Sequence, residues 1–325
     1  MSSPFPIRPR LAQCARLAAC TVLALAAVGC AEQRQRPNVL LITVDTLRAD
    51  HVGADTPAMS GIGTAGLEFT AAQSTSSWTL PSLASLMTST YTSTHGCWDM
   101  DTELSGSFTT LAEHLAAAGY DTSAIASHVF LAPKHGLHQG FANYDTTLVK
   151  GMMRSHEAIS SPRVTRRSLA WLDTWQTADS GEPFLLWSHY FDPHDVYQPH
   201  KGFSEQYGTK TGPQLYKGEV AFTDHWIGKL LDGLAERGLD EDTIVVLVAD
   251  HGEEFGDHGS TRHGHTLYEE LTRVPLRMRL PSELAASHGI EQGRVIGDTV
   301  SVVDVLPTLL ELCDVSGGNS GLRSG

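Results

Sequence analysis

Four residues of this sequence carry side chains suited to one chemistry. Asp45 closes the apolar run NVLLITVD, and Asp250 with His251 closes a second run, DTIVVLVAD. Thr79 stands where a loop turns into a helical pattern, in SSWTLPSLASLMTSTY. Two carboxylates, an imidazole and a hydroxyl suit a hard or borderline divalent cation. A cation beside a hydroxyl lowers its pKa and makes it a nucleophile. Thr79 is therefore open to three readings: a helix cap, a nucleophile, or both. A third apolar run ends in the same manner, with Asp192 and His194 in YFDPHD.

These residues need a scaffold that gathers strand ends. The pattern predicts strands over 38–45, 121–127, 183–192, 242–250 and 273–281. Helical spacing predicts helices over 111–120, 165–176, 220–238 and 301–313. Strands alternating with helices predict an α/β fold, a doubly wound and mostly parallel sheet with helices on both faces. In such a sheet ligands bind beyond the carboxyl ends of the strands. The loop-rich stretches 192–216 and 251–265 lie after two of those ends, where long loops are usually functional.

The first 29 residues read as a leader. Arg8, Arg10 and Arg16 precede an apolar run from Leu17 to Val28, too short for a stable membrane span. AAVGC resembles a lipoprotein cleavage box, with Cys30 the lipidated residue. The expected organisation is a signal peptide (1–29), a tether (30–37) and a catalytic domain (38–325), exported to a bacterial cell envelope and held on the membrane by a lipid anchor. Removing three arginines and no acids takes the net charge from −14 to −17. So acidic a body argues against nucleic acid as a partner, and an anionic substrate then calls for a local positive site such as a metal ion. Two of the remaining cysteines, Cys97 and Cys313, are far apart and form neither a disulfide framework nor a zinc cluster.

RPNVLLITVDTLRADHVG, TLPSLASLMTSTY, FLLWSHYFDPHDVYQP, DTIVVLVADHGEEFGDHG, HGHTLYEELTRVPL and VSVVDVLPTLLEL occur in this order. The chain resembles the sulfatase family, within the alkaline phosphatase superfamily, over nearly all of residues 36–313. The resemblance implies an ester hydrolase with one divalent ion (Ca, Mn, Mg or Zn) held by Asp45, Thr79, Asp250 and His251. It gives His194 to the substrate oxyanion. His263 or His265 stands in place of a family lysine, to contact the anion or protonate the leaving oxygen. Members continue into a smaller C-terminal subdomain, which this sequence lacks or truncates.

The departures lie in the site. Members carry Cys or Ser followed by x-Pro-Ser-Arg, oxidised to formylglycine, whereas here the residues are Thr79 and Leu83. No formylglycine is expected. The aspartate that follows Asp45 in the family is Thr46, and of the usual Lys-x-His pair only His128 and Lys134 are nearby. A metal-bound threonine is the nucleophile in relatives acting on phosphate esters. The leading expectation is a hydrolase of sulfate or phosphate esters, on a small molecule or a glycan. The alternatives are a transferase moving a phospho-group to an envelope acceptor, and a non-catalytic lipoprotein binding an anion or polysaccharide.

Overall fold

The computed structural model describes residues 36–149 and 159–316. The leader, Cys30 and nearly all of the tether lie outside the described residues.

Among the described residues ten strands are present: β1 (Asn38–Val44), β2 (Leu67–Gln73), β3 (Asp121–Ile125), β4 (Asn143–Asp145), β5 (Phe184–Tyr190), β6 (Thr243–Ala249), β7 (Glu254–Phe255), β8 (Thr261–Arg262), β9 (Leu276–Arg279) and β10 (Arg294–Ser301). Eight of them form one sheet in the order β10-β2-β9-β6-β1-β5-β3-β4, and β7 pairs with β8 alone. β9 is antiparallel to both its neighbours, and every other pairing in the large sheet is parallel. The three central strands β1, β5 and β6 are buried at every residue. That is why they read as unbroken apolar runs: a strand covered on both faces has no side to leave polar.

Among the described residues six helices of seven residues or more flank the sheet: α1 (Pro57–Thr64), α2 (Thr79–Thr88), α3 (Leu111–Ala117), α4 (Ser161–Ala178), α5 (Gly212–Glu236) and α6 (Val305–Leu312). They sort into two layers. α1 and α4 both pack on α5, while α2, α3 and α6 pack on one another. The architecture is the doubly wound α/β sheet that the sequence pattern predicts.

The expected bounds shift in instructive ways. α4 and α5 begin earlier than expected, each with a proline in its first turn, where a missing N–H costs nothing. Residues 301–313 are not one helix. Ser301 ends β10, a 3-10 turn covers Val302–Asp304, and α6 follows. β2, β4 and β10 have no counterpart among the predicted strands. LEFTAAQ and RVIGDTVS keep many residues exposed or half-exposed, so they lack the apolar run that marks a central strand. Cys97 and Cys313 are both buried.

Candidate active site

Register builds the site. Val44 of β1 pairs with Ala249 of β6 and with Tyr190 of β5. The next residues, Asp45 and Asp250, therefore leave the sheet side by side, and the Asp45 amide still donates to Tyr190 O at 2.9 Å. Beyond Asp45 the chain turns sharply at Thr46, whose φ of 53° is a left-handed conformation costing a β-branched residue about 1–2 kcal/mol. Three bonds hold that turn. The Thr46 amide donates to Asp250 Oδ1 (3.2 Å), its hydroxyl donates to Pro193 O (3.2 Å), and its carbonyl accepts from the Tyr216 hydroxyl (2.8 Å). The residue that replaces a family aspartate is thus a turn residue here.

Thr79 arrives from the other side. It is the first residue of α2, and the N-cap is Trp78, whose side chain makes no cap bond. The capping reading of Thr79 does not hold. Its hydroxyl instead lies 3.3 Å from His251 Nε2. Ser82, one turn on, ties the helix to the strand end by donating to the carbonyl of Asp250 at 2.6 Å. Leu83, in place of a family arginine, is fully buried in the core.

Asp45, Asp250 and His251 present one ligand atom each within 4.8 Å of one another. His251 Nδ1–H donates to Gly252 O at 2.9 Å, which leaves Nε2 with its lone pair on the side of the carboxylates. Both oxygens of Asp45 and Oδ2 of Asp250 are buried without a hydrogen-bond partner. Unpaired buried carboxylate oxygens are costly, and a cation removes that cost. Burial, then the neighbouring charge of Asp250, pushes the Asp45 carboxyl well above its ordinary range. Burial raises Asp250 to about 6. The donor set fits a divalent ion.

Four more imidazoles surround this group. The rings of His194 and His263 are 4.9 Å apart, and His263 is 4.6 Å from His251. His263 Nδ1–H donates to the buried carboxylate of Glu253 (3.0 Å), which also accepts from the Tyr197 hydroxyl (2.6 Å). A carboxylate behind Nδ1 leaves Nε2 to take or give a proton. His265 is placed differently: its ring nitrogens meet His263 O (3.1 Å) and Glu254 (3.2 Å), outside the group around Asp45. Asp192 is also elsewhere. Its carboxylate accepts from the amides of Ser160 and Ser161 and from the Ser161 hydroxyl, closing the start of α4. Another cluster, Glu254, His258 and Glu270, is closed by its own bonds, with His258 Nδ1 on Glu270 at 2.6 Å. Arg48 is spent on Asp50, Asp257 and the carbonyl of Glu253.

Sequence reading missed His189 and gave His128 little weight. His128 Nε2 is 3.8 Å and His189 Nε2 is 3.5 Å from Asp45 Oδ2, and both rings are buried. Burial lowers His189 to about 4. The signal was available in the period of two: Trp187 and His189 alternate on β5 opposite Leu41 and Thr43 of β1, which puts them on the face of Asp45.

The sulfatase family model matches residues 37–315. The chain belongs to the sulfatase family. This sulfatase is 24% identical over 367 residues to an arylsulfatase of Clostridium perfringens, covering 86% of this chain and 76% of that protein. It is also 24% identical to the uncharacterised sulfatase YidJ of Escherichia coli, covering 86% of this chain and 68% of that one. Among solved structures, the phosphonate monoester hydrolase of Agrobacterium radiobacter superposes with a TM-score of 0.71 at 19% identity, covering 88% of this sulfatase and 76% of that chain. Ps i-CgsB in complex with k-i-k-neocarrahexaose gives 0.71 at 18% identity, covering 90% and 75%. At such identities the superpositions speak for the fold. Membership makes the chain an ester hydrolase of the sulfatase family, whose members use a divalent metal.

Proposed function

We propose that this sulfatase hydrolyses a sulfate or phosphate ester through a covalent ester on Thr79. The observation that carries the reading is the set of unpaired, buried carboxylate oxygens on Asp45 and Asp250 around the pair Thr79–His251. Asp45, Asp250, His251 and Thr79 would hold the divalent ion, which supplies positive charge to a deprotonated hydroxyl and to the substrate anion. The Thr79 oxygen attacks the sulfur or phosphorus. The bond to the alcohol breaks, and His263, backed by Glu253, gives the leaving oxygen its proton. His194, beside His263, faces the transferred group. Water then attacks the same sulfur or phosphorus, His263 takes its proton, and the inorganic anion leaves with Thr79 restored.

The leaving group we propose is a sugar or an aryl alcohol. Arylsulfatase is the name of a relative, and one superposing structure holds D-glucosamine-2-N,6-O-disulfate. Threonine in place of an oxidisable Cys or Ser supports a phospho-ester as the second substrate class. Placement in the cell envelope through Cys30 belongs to the same proposal and is tested by whether Cys30→Ser abolishes labelling with a fatty acid.

The deciding experiment compares aryl sulfate, aryl phosphate and aryl phosphodiester turnover with Mn²⁺, Ca²⁺ or Zn²⁺, for the native chain and Thr79→Ala. Turnover of either class that disappears in Thr79→Ala supports the reading. Turnover that survives in Thr79→Ala removes Thr79 as nucleophile.

A further inference from the structure

Asp45 is ringed by three imidazoles, and their hydrogen bonds make them chemically unlike. His251 donates from Nδ1 to a carbonyl, so its Nε2 carries a lone pair. His128 is the reverse. Its Nδ1 accepts the amide of Phe130 at 3.0 Å, so its proton sits on Nε2. His189 is set by a relay. Trp187 Nε1–H, a donor only, gives its hydrogen bond to Thr43 Oγ1 at 2.8 Å. Thr43 Oγ1 is 2.8 Å from His189 Nδ1, and this nitrogen is the acceptor at hand for the buried hydroxyl proton. With Nδ1 as that acceptor, the proton of His189 is also on Nε2. That nitrogen is buried and makes no hydrogen bond of its own.

Both Nε2–H groups face the same atom, Asp45 Oδ2, at 3.8 and 3.5 Å, while His251 Nε2 faces Oδ1 at 3.7 Å. We infer that His128 and His189 are a pair of positioning residues, two N–H groups turned towards Oδ2 of Asp45 from beyond hydrogen-bond distance, whose dipoles favour the place of that oxygen and leave Oδ1 to face the cation. The inference rests on the cation reading above. It has a chemical consequence for the opposite side of Asp45. Two imidazoles beside a carboxylate resemble a seat for a second metal, but an N–H points no lone pair at an ion. The tautomers make that side a clamp. A clamped Asp45 also suits a site in which Thr46 has taken the place of a carboxylate and the remaining aspartate must be held in one orientation.

The experiment reads the tautomers and the metal separately in the full chain. Two-bond 1H–15N correlation of the histidine rings, without metal, is expected to give the Nε2–H form for both His128 and His189. The Nδ1–H form or the doubly protonated ring at either residue overturns the proposal. Mn²⁺ titration is expected to give one ion per chain. Two ions overturn the clamp, and none sinks the cation reading and the clamp with it. His189→Leu and Thr43→Val are expected to weaken Mn²⁺ binding about 10- to 100-fold, as loss of a ligand's supporting partner does. His189→Gln, which keeps an N–H near the same place, is expected to recover most of the loss. Wild-type Mn²⁺ affinity in His189→Leu overturns the clamp. If His189→Leu does not fold, the tautomers of the native chain still decide.

Discussion

At the scale of single residues the site is a problem of charge without water. Asp45 and Asp250 lie side by side and buried, with Asp250 raised to about 6 and Asp45 well above the usual range. A cation must displace protons from groups with raised pKa values, so its affinity rises with pH until those groups are ionised. Mn²⁺ affinity by calorimetry is expected to increase about tenfold or more from pH 5 to pH 7, a window set by the shift of Asp250 and widened by that of Asp45. A flat profile would mean that the carboxylates are not the ligands. Thr79→Ala is expected to lower kcat by about 10³-fold or more while Mn²⁺ still binds, because Asp45, Asp250 and His251 remain. His263→Asn tests the proton donor. Loss is expected to be about 10²- to 10⁴-fold for an alkyl ester and far smaller for a 4-nitrophenyl ester, whose leaving oxygen needs no proton. Equal losses on the two esters would give His263 another role.

At the scale of elements, small polar residues fasten α2 and α4 to the strand ends. Ser82 joins α2 to the carbonyl of Asp250 and also meets Ser74 Oγ at 2.8 Å. Ser82→Ala removes a buried bond worth about 1 kcal/mol and loosens Thr79 relative to Asp250. A modest fall in melting temperature is expected with a larger fall in kcat, and a fall in stability alone would make Ser82 a structural residue only. Asp192 does the comparable work for α4, accepting three donors at the helix start. Asp192→Ala is expected to cost about 1–2 kcal/mol, as loss of a cap does, with Mn²⁺ affinity unchanged. A strong loss of Mn²⁺ binding would place Asp192 in a metal site after all.

For the molecule as a whole, the cation is expected to act as a ligand of the folded state alone. At 100 times its Kd such a ligand adds about 2.7 kcal/mol. For a domain of this size that is a rise in melting temperature of about 5 °C or more, removed by a chelator. No shift on chelation, in the native chain and Thr79→Ala alike, would sink the metal reading. The described residues from Pro37 onward fall in one compact unit, so the site and the sheet that carries it are expected to unfold together.

What the order of residues determined by itself is the scaffold and its strand ends. β1, β5 and β6 are buried on both faces, and burial on both faces writes itself as an apolar run that stops at Asp45, Asp192 and Asp250. The paired strands at one margin stayed hidden, because β2 and β10 meet solvent and mix polar with apolar residues. Tertiary structure alone decided what each polar residue faces. Asp192 ends its strand as Asp45 does, yet its carboxylate is spent on α4. His263 and His265 differ by two positions, and only the first stands against His251 and His194. His189 sits within an apolar run and reads as core until the register sets it beside Thr43 and Asp45. Hydrophobic periodicity is a local property and is carried by the chain. Hydrogen-bond partners are set by contacts across distant strands, and no pattern along one strand can specify them.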